Sequence, residues 1–149
     1  MGSKKIIIIT ATILGIVGLS VLSIGFYNDD RLVAKEKLPA VIVNFIETNF
    51  TGKSIRYAEI DFLDYTVWLE DDTEIEFDWK RNWDKIERNT LPVPSQLLPS
   101  GIFVYMKEKH PEAIITKVSI DNGRYEVNIS DYHYELVFSK SGDYIGIDD

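Results

Sequence analysis

Few side chains in this 149-residue chain are of a type that does chemistry. Its two histidines, His110 and His133, stand 23 positions apart with strand-like segments between them. Neither has an obvious partner for a nucleophile–base pair, nor the three or four clustered ligands of a zinc site. There is no cysteine, which excludes disulfides, thiolate metal ligands, a cysteine nucleophile and a lipobox lipid. Asp61, Asp64, Asp71, Asp72, Asp121 and Asp131 carry the hard oxygens that calcium takes. Their spacing is not that of an EF-hand, and Asp is favoured in turns because its side chain bonds nearby backbone. The expectation is no catalytic residue, no metal and no cofactor, hence no enzyme.

Binding chemistry is better represented. Glu74, Glu76 and Asp78 alternate with Ile75, Phe77 and Trp79, so the three acids are predicted to share one face of a strand, beside Trp68 on its neighbour. An outward Trp is a favoured interface anchor. Tyr132 and Tyr134 bracket His133 in a predicted turn and form a second candidate contact. Trp79 is expected inward by alternation, and Trp83 against a helix. The chain has 16 Lys+Arg against 24 Asp+Glu, a net charge of -8. Nucleic acid is therefore a disfavoured partner, and a protein or peptide with a basic surface a suitable one.

These candidates must be positioned by two kinds of element. At the amino end, Lys4 and Lys5 precede an uncharged stretch from Ile6 to Phe26, followed by Asp29 and Asp30. As a helix that stretch would span about 31 Å, and the flanking charges place the downstream chain outside the cytoplasm. Its length suits a membrane anchor, whereas Ser23 and Gly25 suit a signal peptide cut after Gly25. Residues 1–26 are read as one or the other. Loss of residues 1–25 would leave 14 basic against 24 acidic side chains, a charge of -10. The membrane is thus expected to be touched only through the amino-terminal segment.

The rest of the chain is self-similar. At a shift of 60, Leu38-Pro39 aligns with Leu98-Pro99, and Ile42, Ile55, Ile60, Asp61, Tyr65, Val67 and Asp71 each meet an identical residue. After Asp71-Asp72-Thr73 the shift is 61, pairing Glu74 with Glu135, Phe77 with Phe138 and Trp83 with Tyr144. Each unit opens on a proline suited to a helix start, then places apolar residues at helical spacing: Ile42, Phe45 and Ile46, or Ile102, Tyr105 and Met106. Gly52 and Pro111 mark the helix ends. Thereafter the period falls to two, and Asn122-Gly123 lies where a hairpin turn would. The fold class expected is α+β, two tandem units of one helix packed on an antiparallel meander of about four strands, preceded by the apolar helix. The units run over 38–89 and 98–149, with linkers at 27–37 and 90–97. At this size each core is marginal alone, so the two should pack together or extend one sheet.

Tyr65-Thr66-Val67-Trp68-Leu69, Glu74-Ile75-Glu76-Phe77-Asp78 and Asn82-Trp83, with Tyr125-Glu126-Val127-Asn128-Ile129 and Ser141-Gly142-Asp143-Tyr144-Ile145, resemble the PepSY-like, beta-lactamase-inhibitor-like family of small exported bacterial proteins. Two departures stand out: Asp71-Asp72-Thr73 and Arg81-Asn82 replace the family's Asp-Gly and Gly turns, whereas Gly142 keeps its place. The resemblance implies a periplasmic or surface location and an inhibitor-like fold, and brings no catalytic residues with it. Inhibition of an enzyme does not follow from fold alone. The function expected is a non-catalytic exported binding module, with a membrane-tethered structural or sensory ectodomain as the alternative.

Overall fold

The computed structural model describes residues 31–148 apart from Asp131. The Ile6–Phe26 segment and its expected helix lie outside the described residues, among which no helix is long and apolar enough to cross a membrane. Pro39 and Pro99, with φ of -54° and -56°, lead into helices α1 (Ala40–Asn49) and α2 (Ser100–Lys109). The proline ring fixes φ near these values and removes an N–H that the first turn would leave unpaired. α1 ends as the Phe50 N–H bonds the Ile46 carbonyl, and Gly52, at φ +77°, turns the chain away. α2 ends at His110, just before Pro111.

A short strand, β1 (Arg31–Val33), precedes α1. After α1 come β2 (Ile55–Asp61), β3 (Asp64–Leu69), β4 (Glu74–Phe77) and β5 (Trp83–Glu87). After α2 come β6 (Ile115–Asp121), β7 (Arg124–Ile129), β8 (Glu135–Phe138) and β9 (Tyr144–Asp148). All nine strands form one antiparallel sheet in chain order, an α+β architecture. β5 and β6 pair directly, Ile86 opposite Val118, so the sheet runs on without a break between the two helix-led halves.

The register places one residue of each strand from β2 to β8 in a row across the core face: Ala58, Val67, Ile75, Ile86, Val118, Val127 and Leu136, every one almost fully buried. Ile42 and Ile46 of α1, and Ile102 and Met106 of α2, close over this face, with Phe77 and Phe138 beneath them. Each fully buried aliphatic or Phe side chain here contributes roughly 1.5–3 kcal/mol. Among the described residues, the opposite face of the sheet carries no helix.

Three local expectations are corrected. Arg31–Val33 belongs to the sheet, not to a linker, because it adds to the free edge of β2, pairing Leu32 with Glu59. Three residues are too few to show a period. Trp79 does not point inward; it is 60% exposed. β4 ends at Phe77, and Asp78 accepts hydrogen bonds from the Lys80 and Asn82 N–H groups, each at 2.8 Å. That turn stops the alternation before Trp79, and it also spends the Asp78 carboxylate, which does not continue the acidic face of β4. Trp83 does pack against the core.

At the opposite end of the sheet Thr73 is fully buried and Asp71 is drawn into a polar clip. Asp71 accepts from the Thr73 hydroxyl at 2.7 Å and from Arg88 at 3.0 Å, and pairs with Lys53 at 3.1 Å. Arg88 also reaches the Pro92 carbonyl, so one guanidinium ties the β3–β4 turn to the connector before α2. Burial pushes the Asp71 carboxyl up, but these donors outweigh it and hold the pKa down at about 2.

Gly142, at φ +92°, packs against the start of α2: a methyl there would sit 2.8 Å from the Pro99 Cβ. Gly142→Ala is expected to cost about 1–3 kcal/mol, from the left-handed backbone and the clash together. Gly146→Ala, whose added methyl meets nothing within 4 Å, should leave stability within about 0.5 kcal/mol. Urea unfolding of the two variants checks the pair; equal midpoints would contradict the packing described.

Candidate functional site

The uncovered face of the sheet is the main candidate. Strand alternation that sends the apolar row to the helices sends two other rows outward. One crosses Glu59, Thr66, Glu76, Lys85, Ser119 and Glu126. The second crosses Tyr57, Trp68, Glu74, Glu87, Lys117, Asn128, Glu135 and Asp148. Seven carboxylates and two lysines stand in these rows, an excess of five negative charges.

Trp68 is half-buried rather than freely exposed. Tyr57 stacks on it with ring centroids 4.6 Å apart and an interplanar angle of 17°. The indole Nε1–H donates to Glu74 Oε2 at 3.1 Å, so the ring is oriented while part of it remains in contact with solvent. Lys85 is the cation of the site. Its Nζ lies 2.8 Å from Glu74, 2.9 Å from Glu76 and 3.7 Å from Glu87. Burial disfavours the Lys85 ammonium, but Glu74 and Glu76 raise its pKa well above the ordinary value. Burial likewise raises Glu74, and Lys85 and Trp68 more than reverse it. Across the sheet, Lys117 reaches Glu135 at 3.3 Å. One lysine thus serves three acids, and Glu59 and Asp148 extend the negative rows beyond it.

The six residues singled out in the sequence are not brought into one place. Trp68, Glu74 and Glu76 adjoin on the open face; Asp78 sits in the β4–β5 turn; Tyr132 and Tyr134 stand on the helix side. There Tyr132 meets His110 edge to face at 5.1 Å and Tyr134 at 5.3 Å. His110, Pro111, Ala113 and Tyr132 line a shallow depression of about 390 Å³. The sequence reading found no partner for His110, because the contact depends on how the β7–β8 turn folds back. It also missed Tyr57 and Lys85; the hairpin register of β2 with β3 is the signal that would have placed Tyr57 opposite Trp68.

Three of the weighed acids have other work. Asp71 is held in its clip, Asp72 pairs with Arg56 at 2.7 Å, and Asp121 accepts from Asn122. Asp131 lies outside the described residues. No three His, Asp or Glu side chains among the described residues are grouped to hold a metal ion.

Residues 63–145 match the family described as "putative beta-lactamase-inhibitor-like, PepSY-like". The chain belongs to this family. Similar solved structures come from Bacteroides. A "putative calcium-regulated periplasmic protein" of Bacteroides thetaiotaomicron is 30% identical, with a TM-score of 0.73 over 81% of this chain and 98% of that one. Two proteins of Bacteroides vulgatus, each described as a "putative periplasmic protein", are 27% and 28% identical. Their TM-scores are 0.74 and 0.72, over 80% and 82% of this chain and 99% and 98% of theirs. No curated protein matches the chain. All three are described as "putative" periplasmic proteins, in agreement with an extracytoplasmic location for this PepSY-like chain.

Asp84 borders the open face. One of its carboxylate oxygens is buried with no hydrogen-bond partner among the described residues. Burial, and then the charges of Glu76, Asp78 and Asp64, raise its pKa from 3.8 to about 6. A carboxyl whose folded pKa is raised costs stability once it must ionise, so folding weakens as pH rises from about 4 through about 6. Asp84→Asn should therefore raise the melting temperature at pH 7.5 and leave it nearly unchanged at pH 4. Thermal unfolding at the two pH values is the measurement; an equal gain at both would refute the assigned strain.

Proposed function

We propose that the protein is a non-catalytic extracytoplasmic binding module whose open sheet face receives a basic protein or peptide segment. The observation that carries this reading is the stacked Tyr57–Trp68 pair set in two rows of excess carboxylate. A π-face at the head of the row suits burial against an apolar or guanidinium side chain, and the acids beside it suit lysine and arginine. Inhibition of an envelope enzyme is one way such capture would act. The helix-plus-four-strand order that occurs twice is read as two tandem units, 38–89 and 98–149. On that reading the aromatic anchor belongs to the first unit, since Asn128 occupies the second unit's counterpart of Trp68. Calcium regulation, the description given to the Bacteroides thetaiotaomicron relative, is not carried over, because Asp71 and Asp72 are engaged by lysine and arginine.

A lysine- and arginine-rich peptide titrated into the protein should quench or shift Trp68 emission. Trp68→Ala combined with Glu76→Lys should weaken binding at least about tenfold, equivalent to about 1.4 kcal/mol. Raising the salt should weaken it as well. Undiminished affinity in the double variant would remove this face from consideration.

The second reading, a membrane-tethered ectodomain, is favoured by the uncharged run Ile6–Phe26 only a few residues before β1. Mass spectrometry of the protein from its native membrane or medium checks it: a tether requires the intact chain in the membrane, whereas a chain starting near Phe26 would mean a cleaved signal.

A further inference from the structure

One end of the sheet is built differently in its two halves. The β2–β3 and β4–β5 turns present Phe62, Leu63 and Trp79, which are 52%, 57% and 60% exposed. Arg81 binds the two turns together, donating from Nη1 to the Leu63 carbonyl at 2.8 Å and to the Trp79 carbonyl at 2.6 Å. Its guanidinium also stands 4.7 Å over the Tyr65 ring. The three apolar side chains therefore ride on one braced knob rather than on two independent loops. The backbone there is left-handed at Phe62 (φ 54°) and Arg81 (φ 71°), conformations that disfavour bulky residues. The β6–β7 and β8–β9 turns at the same end carry Asn122-Gly123 and Gly142, which suit such turns. Phe62 thus occupies a position where folding alone would favour Asn or Gly, and Leu63 stands where the second half has Gly123.

The chain also enters the fold at this end. Arg31 pairs with Ile60, two residues before Phe62. Phe26, the end of the uncharged stretch, is separated from Arg31 by only four residues, a reach of at most about 17 Å even when fully extended. Whatever surface the stretch enters, the knob is held close to it.

We propose that Phe62, Leu63 and Trp79 insert into the headgroup boundary of the bilayer entered by Ile6–Phe26, with Lys80 at the level of the phosphates. This rests on the tethered reading. Trp and Phe favour that boundary, and a lysine beside them can extend to the phosphates; the Lys80 ammonium lies 4.8 Å from the Trp79 ring. The contact draws on apolar area rather than net charge, so the lipid surface it fits is zwitterionic. The net negative charge of the exported part does not oppose it there.

The test uses the full chain reconstituted into phosphatidylcholine vesicles carrying brominated acyl chains, which quench tryptophan on contact. The expected result is that the protein floats with the vesicles, that its emission is quenched, and that Trp79→Phe loses most of that quenching. Trp68 lies towards the other end of the sheet and Trp83 is packed on the core, so neither should replace it. Flotation with equal quenching in both forms, or with none, would overturn the knob while leaving the tether intact. Failure to float would overturn both. A concentration-dependent blue shift of Trp79 without lipid quenching would assign the knob to a second copy of the chain and likewise overturn the proposal.

Discussion

The row of buried side chains from Ala58 to Leu136 governs everything else in the molecule. One face of a nine-stranded sheet is sealed by two helices, and because side chains alternate with a period of two, burying that row dictates which residues remain outside. A slip of one residue would exchange a core side chain for an outward one, such as Ile75 for Glu76 or Ile86 for Lys85. The register is therefore strongly specified from β2 to β8, including the Ile86–Val118 contact that joins the halves. Trp68 and Glu74 are neighbours on the open face because Val67 and Ile75 are neighbours beneath it.

That same constraint explains how much could be read from the residues alone. The α+β class, both helices and the long strands follow from apolar spacing, since each buries several residues of one face. β1 buries too little to leave a pattern. The inward placement assigned to Trp79 failed for a related reason: alternation holds only while the ladder continues, and Asp78 ends it with its own side chain. Tyr57 was hidden by the turn. Had Phe62-Leu63 been recognised as a two-residue connection, the register would have put Tyr57 across from Trp68, but Phe-Leu has none of the turn chemistry that makes Asn122-Gly123 conspicuous.

The candidate site was partly legible for the same reason. Trp68, Glu74 and Glu76 were placed by alternation, which the core enforces. The lysine that organises them was not, because its role depends on pairing between β4 and β5 across a bulge, where Glu76 faces Lys85 and Asp84 is left over. The contact of Tyr132 with His110 depends on a turn and a helix end meeting in space, and no local pattern encodes it. Placements set by the core could be derived; those set by irregular backbone could not.

The two proposed surfaces constrain each other. An acidic sheet face is poorly suited to lying flat on a membrane, so contact through the Phe62–Trp79 end stands the strands upright. Trp68 is four residues along β3 from Asp64 at that end, about 13 Å at the usual rise per residue. That exceeds the roughly 8 Å over which charge is screened at physiological salt. The Tyr57–Trp68 pair would then lie beyond the reach of headgroup charge, open to a partner approaching from the side. The Glu74 and Glu87 carboxylates, level with Trp68, would keep their attraction for a basic segment undiminished by the lipid, and Lys85 would hold them in register with the aromatic pair. An upright sheet lets one small protein meet a bilayer and a partner at once, because the apolar end and the acidic face are set at right angles by the strands that connect them.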